Sequence, residues 1–298
     1  MRYKTAAAFR QALETRLREQ VLKTSAPLTR LRKTVAFERF LARLVRDGPG
    51  LWIFKGGFAL QLRLGEVART TKDIDAATLR TMTEGELLRR LRHAASLNLR
   101  DWFEFEIAQP TAAATGAAEG GLRFPVRCLL DGRTFENFHL DLGQGDPVLD
   151  KPDELPGPAF LGFAGIRPAR IPCCPLTTQV AEKVHAYTKP YSGGESSRVR
   201  DLVDILLIGS ISTPSGRKLA AALQATFKAR ATHAVPEEVP QPPRSWSGPY
   251  KKMARELDLS WATVDDAGKA ALAFVNPVLK GGVGGKWRPE TWRWEKVR

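Results

Sequence analysis

Apolar residues recur at helical spacing over residues 9–20 and 28–45, with basic residues filling the gaps. That period predicts two amphipathic helices. The pattern breaks at "DGPG" (47–50), and the short apolar run "LWIF" (51–54) predicts a buried strand. "FALQLRLG" (58–65) reads as a short helix that Gly65 ends, and "TKDIDAATL" (71–79) as a second strand. Helical spacing returns over 84–96, whereas "DWFEFEIAQ" (101–109) alternates as a strand does. "TAAATGAAEGG" (111–121) predicts a loop of small residues. Two strand-like runs then flank Asp131-Gly132, a dipeptide that favours a tight hairpin.

Composition shifts over residues 145–158, which are rich in Pro, Gly and Asp. This predicts a boundary between a domain of residues 1–150 and another of residues 151–298. Helical patterns follow at 177–187, 198–208, 219–229, 250–257 and 265–274. "SGGESS" (192–197) reads as a loop, and 235–249 as an extended, proline-rich stretch. The tail, 280–298, is expected to be partly mobile, and its tryptophans Trp287, Trp292 and Trp294 to pin it to the body rather than to stack on bases. No internal repeat is present.

The chain has 298 residues, 46 basic against 32 acidic, a net charge of +14. That excess favours a polyanionic partner such as nucleic acid, or an anionic membrane surface. The basic residues of 29–46 and 87–93 are candidates for guiding a phosphate backbone. Three cysteines, Cys128, Cys173 and Cys174, supply neither a disulfide framework nor a zinc spacing, which points to packing roles and a reducing, cytoplasmic compartment. The N-terminus is charged throughout, and no apolar run approaches the ~20 residues of a membrane span.

Two features carry candidate chemistry. Gly56-Gly57 sits where a strand ends and a helix opens, a geometry in which free N–H groups can cradle phosphate. In isolation, an ordinary strand-to-helix turn is the better explanation. Asp73 and Asp75 lie two apart on a strand, so they share a face and repel unless a cation or hydrogen bonds compensate. Oxygen ligands on a rigid element suit Mg²⁺, especially with substrate phosphates completing the shell. Joined by one short helix, cradle and carboxylates converge on a nucleoside triphosphate. In "FENFHLDLG" (135–143), Asn137, His139 and Asp141 share the face opposite Phe138, Leu140 and Leu142. Asp141 completes a two-metal site if its strand lies beside that of Asp73; otherwise it belongs to a polar strand face.

These stretches resemble the nucleotidyltransferase signature G-G-[S/T]…D-x-D of the polymerase-beta-like superfamily, in the form used by the AbiEii/MenT-type toxins of type IV toxin–antitoxin systems. That family shows K-G-G-[S/T]-A-L, then R-x-S-x-D-I-D. Here residues 55–60 read "KGGFAL" and residues 69–75 read "RTTKDID". Phe58 stands where the family has a hydroxyl residue, and Thr71 keeps a hydroxyl where the family often has Ser. Residues 176–208 are similar to the family's A-x-K-x-x-A helix and following R-D-x-x-D helix. Lys183 and Ala186 fit the first, and Arg200, Asp201 and Asp204 fit the second. The ordered motifs span residues 51–208.

The resemblance implies an α+β fold: a mixed β-sheet nucleotidyltransferase core flanked by helices, then a mostly helical second domain that contributes to the active site. It implies two Mg²⁺ ions on Asp73, Asp75 and Asp141. Gly56, Gly57, Thr71, Lys183 and Asp204 would face the nucleotide, and Asp73, Asp75, Lys183 and Asp201 would carry the catalysis. Asp201 and Asp204, three apart on a helix, share a face; one can orient Lys183 or Arg200 while the other faces the nucleotide. His185 reads as structural. The reaction implied is transfer from an NTP to RNA, with the tRNA 3′ end the leading acceptor, blocking translation and opposed by a cognate antitoxin. Two rival readings stay open. One is a nucleotidyltransferase acting on a small molecule or a protein hydroxyl; the net charge argues against a small acceptor. The other is a nucleic-acid-binding protein with an inactive core, against which the intact Asp73, Asp75 and Lys183 argue. "GGVGGKW" (281–287) is not a P-loop, because the spacing is wrong and Trp287 follows the lysine.

Overall fold

The computed structural model describes residues 1–24, 26–112, 121–145, 150–190 and 198–295, without the side chain of Glu66. The chain divides into two compact units, Met1–Gly145 with Pro152–Cys173, and Asp146–Lys151 with Cys174–Arg298.

In the first unit, α1 (Ala6–Thr24) and α2 (Leu28–Asp47) precede β1 (Trp52–Lys55), α3 (Gly56–Leu64) and β2 (Ile74–Thr78). Then come α4 (Glu84–Ser96), β3 (Phe103–Ile107), β4 (Thr111–Ala112), β5 (Leu122–Leu130), β6 (Arg133–Gln144), β7 (Asp153–Pro156) and β8 (Arg170–Cys173). The strands form one mixed sheet in the order β3-β5-β6-β2-β1-β8-β7, with β4 beside β5. The pairs β2–β6 and β1–β8 are parallel, and the other pairs are antiparallel.

The hydrophobic pattern explains the layering. On β6 the buried Phe138, Leu140 and Leu142 alternate with polar residues, and α2 brings Phe37 and Phe40 to within 4.9 and 5.6 Å of the Phe138 ring. The resulting core excludes water from one face of the sheet and leaves the other face polar. Helix α4 opens with a capping box in which Thr83 and Glu86 satisfy each other's backbone N–H groups. Asp131 and Gly132 both adopt positive φ, 56° and 66°, as the tight β5–β6 turn requires.

The division falls later than residue 150, where the sequence pattern placed it. Pro152–Cys173 stays with the first unit because β8 pairs with β1, Cys173 opposite Phe54, and β7 pairs with β8. Strand β8 pairs with a partner far away in sequence, which a local pattern does not reveal. Thr111 and Ala112, expected in a loop, form β4; the rest of that stretch, 113–120, lies outside the described residues.

The second unit holds α5 (Leu176–Thr188), α6 (Val199–Ile211), α7 (Gly216–Arg230), α8 (Ser247–Glu256) and α9 (Val264–Leu279). A hairpin of β9 (Trp287–Arg288) and β10 (Arg293–Trp294) follows. Helix α6 is apolar nearly all round, so it is buried among its neighbours. The tail is pinned: Trp287, Trp292 and Trp294 donate indole hydrogen bonds of 2.8–2.9 Å to the carbonyls of Gly209, Ala270 and Phe274. The loop expected at 192–197 and the last residues, 296–298, lie outside the described residues.

Candidate active site

Strand β1 ends at Lys55 and α3 begins at Gly56, whose φ of +63° lies in the left-handed region. A Cβ at Gly56 would lie 1.9 Å from Asp75 Oδ2. A Cβ at Gly57 would lie 2.9 Å from Thr71 Oγ1. The glycine turn and the carboxylate strand are therefore packed into each other, and side chains at either glycine would push them apart. Lys55 sits opposite Asp75 across the β1–β2 pair. Thr71 is nearly buried and donates its hydroxyl to the Asp73 carbonyl, 3.0 Å away, so it shapes the entry to β2. Phe58 is buried edge-on against Phe37, ring centroids 5.3 Å apart, which makes this position part of the core.

The parallel β2–β6 register places Asp141 directly opposite Asp75. Asp75 and Asp141 thus lie on neighbouring strands with Asp73 just before β2, and two further residues join them. Arg123 on β5 grips Asp141 with a bidentate fork, Nε to Oδ1 at 2.7 Å and Nη2 to Oδ2 at 2.6 Å. The same guanidinium stands 3.7 Å from Asp73 Oδ2. The hydrogen bond to Asp141 is the main reason that Arg123 is held more firmly protonated than an ordinary arginine. His139 Nδ1 lies 3.2 Å from Asp73 Oδ1. The sequence reading placed His139 on the polar face but gave it no partner, and it missed Arg123.

The donor chemistry at Asp73 and Asp75 fits a hard divalent cation: carboxylate oxygens at the start of a sheet strand. At Asp141 the fit is different, because Arg123 already occupies both oxygens. Among the described residues, no group of three or more His, Cys, Asp or Glu side chains converges tightly enough to hold a metal ion.

The second unit carries its own charged cluster. Lys183 on α5 donates to Asp201 Oδ1 at 2.8 Å and lies 2.9 Å from Asp204 Oδ2, both on α6. Neither carboxylate is left to face outward: Asp201 is buried and Asp204 fully so. The expected division of labour, one aspartate for the lysine and one for the nucleotide, gives way to joint grip on Lys183. Arg200 is exposed, and it is Arg198 that meets Asp201, at 3.6 Å. His185 is buried against Phe227 and hydrogen-bonds Thr232, as a structural histidine would. The three cysteines are buried and form no disulfide.

The basic stretch of residues 29–46 is largely spent inside the protein. Arg43 is buried in a bidentate bond to Asp101, and Arg39 is buried against Glu38 and Asp101. Arg32 and Lys33 are paired with Glu14 and Glu136. Within 87–93, Arg90 and His93 both meet Asp47. Much of the excess charge that suggested a guiding surface on these helices is thus a structural network.

A mixed sheet that carries a glycine turn packed against a D-x-D strand defines a nucleotidyltransferase core. The sequence pattern of the nucleotidyl transferase AbiEii toxins of type IV toxin–antitoxin systems matches residues 39–267, and the chain belongs to that family. It is accordingly a nucleotidyltransferase toxin, and membership implies a nucleotide substrate and an antitoxin partner. The solved structure of MenT4, a nucleotidyltransferase toxin from Mycobacterium tuberculosis H37Rv, shares the fold at 17% identity and a TM-score of 0.52. The match covers 90% of this chain and 98% of that one. No curated protein matches the sequence significantly. No helix among the described residues is long and apolar enough to cross a membrane.

Proposed function

We propose that this toxin transfers a nucleotide from an NTP to the 3′ hydroxyl of RNA, with the tRNA end as the leading acceptor, and so blocks translation. The observation that carries the proposal is the interlocked Gly56–Asp75 contact, with Asp141 in register beside Asp75. The turn brings backbone N–H groups at the start of α3 to where the triphosphate would lie. Asp73 and Asp75 would hold Mg²⁺, and Asp141 would join them where Arg123 releases it. When bound, the metal lowers the pKa of the attacking hydroxyl and stabilises the departing pyrophosphate. Asp75 accepts the hydroxyl proton as the new O–P bond forms and the bond to pyrophosphate breaks. By its resemblance to the family's lysine helix, Lys183, held by Asp201 and Asp204, would supply the positive charge that the triphosphate needs. The setting proposed is the cytoplasm, where NTPs, tRNA and reduced thiols coexist.

The test is incubation with each α-labelled NTP, Mg²⁺ and total RNA, with intact or periodate-oxidised 3′ ends. Label on intact RNA that disappears with EDTA or after oxidation is expected. Label on protein or on a small molecule would replace the RNA acceptor with a rival, and RNA binding without any label would point to an inactive core.

A further inference from the structure

Arg123 and Asp141 form a closed pair beside the other two carboxylates. The β5–β6 register sets them directly opposite each other, and the fork of 2.7 and 2.6 Å engages both carboxylate oxygens. The Asp141 side chain is only 11% exposed and that of Arg123 27%, so water screens the pair weakly. A cleft of about 640 Å³ on this side of the sheet is lined by Asp73, His139 and Arg123, among others, but not by Asp141. From the cleft the arginine is reached, and the carboxylate it grips is not. Mg²⁺ sits about 2.1 Å from its oxygen ligands, so an ion on either oxygen of Asp141 would lie within about 5 Å of a guanidinium nitrogen, and the two cations would repel. Release of the arginine is no easier. The acidic groups that favour its charge are Asp141 first, then Asp73 and Asp75. Two metal ions spread over those three carboxylates would take every one of them and leave Arg123 facing metal. The glycine turn offers it no other anion, because β6 and β2 separate β5 from β1, roughly 14 Å at ordinary strand spacing.

We propose that Arg123 is the permanent counter-ion of Asp141, and that the chain therefore binds one divalent cation, at Asp73 and Asp75, where the family resemblance implies two. The inference rests on the nucleotidyltransferase reading and deepens it. Asp141 becomes a positioning residue rather than a metal ligand. It fixes the guanidinium 3.7 Å from Asp73 Oδ2, a rigid positive charge in place of a second ion. The fork uses only part of the guanidinium's donor set and leaves the rest for a substrate oxygen.

The experiment counts ions. Equilibrium dialysis against Mn²⁺, with and without an NTP analogue whose α,β bridge cannot be cleaved, gives the ions held per chain; Mn²⁺ on free analogue is equal on both sides and cancels. Electron paramagnetic resonance then separates an isolated ion from a coupled pair, because the ions of a two-metal site lie about 3.5–4 Å apart. The proteins are the wild type, Arg123→Met and Asp141→Asn, with unfolding curves to confirm folding. The wild type is expected to hold one ion with the spectrum of isolated Mn²⁺. Arg123→Met frees Asp141 and should hold two ions with the analogue present, with a coupled spectrum. Asp141→Asn should still hold one ion, and it carries the test by itself if Arg123→Met does not fold. Two coupled ions in the wild type would show that Arg123 lets go, and would overturn the inference while leaving transfer to RNA intact. An ion lost from Asp141→Asn would overturn it too. So would a single ion in a folded Arg123→Met, which would make the fork a merely structural bond. A wild type that holds no ion would remove the metal from the site. One that also binds no analogue and labels no acceptor would bring down the parent reading and this inference with it.

Discussion

The two units handle concentrated charge in opposite ways. On the sheet, Asp73 and Asp75 lie two residues apart with Asp141 beside Asp75, the Arg123 fork grips Asp141, and the group stays partly open; the Asp73 side chain is 31% exposed and His139 43%. Between α5 and α6, one lysine is held by two carboxylates and the group is closed; Asp204 is 0% exposed. A closed, paired group is a commitment of the fold, because separating it strands a charge away from water. An open, like-charged group contributes little to stability and keeps its oxygens within reach of ligands. Under the proposed function, the contrast separates Asp73 and Asp75, which would meet the substrate, from Asp201 and Asp204, which hold Lys183.

The largest expected effect on stability tests the closed group. Asp204→Ala removes one of the two carboxylates that grip Lys183 and should cost on the order of 3–5 kcal/mol. For a unit of this size, that lowers the melting temperature by roughly 10 °C. Thermal unfolding followed by circular dichroism measures it. A melting temperature equal to that of the wild type would mean that the lysine cluster is as dispensable to the fold as the open one, and the contrast would collapse.

Gly56→Ala should fall between the extremes. A side chain at φ +63° costs about 1–2 kcal/mol, and the new Cβ would meet Asp75 Oδ2 at 1.9 Å. Combining it with Asp75→Ala removes the clash and leaves only the backbone strain. The double variant should therefore recover part of the lost stability but none of the transfer activity. No recovery would show that Gly56 answers to its own φ alone and not to the carboxylate.

Much of this was legible in the chain. The 3.6-residue period located α1, α2 and α4, alternation located β3, the short apolar run after residues 47–50 located β1, and the Asp131-Gly132 turn marked the hairpin. The glycine pair and Asp73, Asp75 and Asp141 could be placed because each sits inside a short, regular pattern. Arg123 could not. Counting register straight from the turn, where Leu130 faces Arg133, puts Arg123 opposite the buried Leu140. A register shift between Cys128 and Leu129 moves the count by one and turns Arg123 onto Asp141. No residue type at that point announces the shift. The second unit's misreading has the same origin: three-residue spacing shows that Asp201 and Asp204 share a face of α6, but not that both reach one lysine on α5. Basic residues misled in the opposite direction, since sequence does not distinguish a buried Arg43 from an exposed Lys72.

The smallest expected effect on stability, and the sharpest separation of stability from activity, belongs to Asp73→Asn. The substitution keeps the shape of the side chain and an oxygen that can accept from His139. It removes one of two like charges that lie two residues apart, which relieves repulsion, and it weakens a 3.7 Å contact with Arg123 whose main grip is on Asp141. These terms oppose each other at a partly exposed site, so stability should change by no more than about 0.5 kcal/mol. Transfer should nevertheless fall by about 10²- to 10³-fold or more, because under the proposed function the lost charge would hold the metal at the reacting phosphates. Paired measurements on one preparation decide it: the melting temperature, and the single-turnover rate of label transfer to RNA in Mg²⁺. A drop in melting temperature like that of Asp204→Ala would make Asp73 a structural charge. A normal transfer rate would remove it from the chemistry altogether.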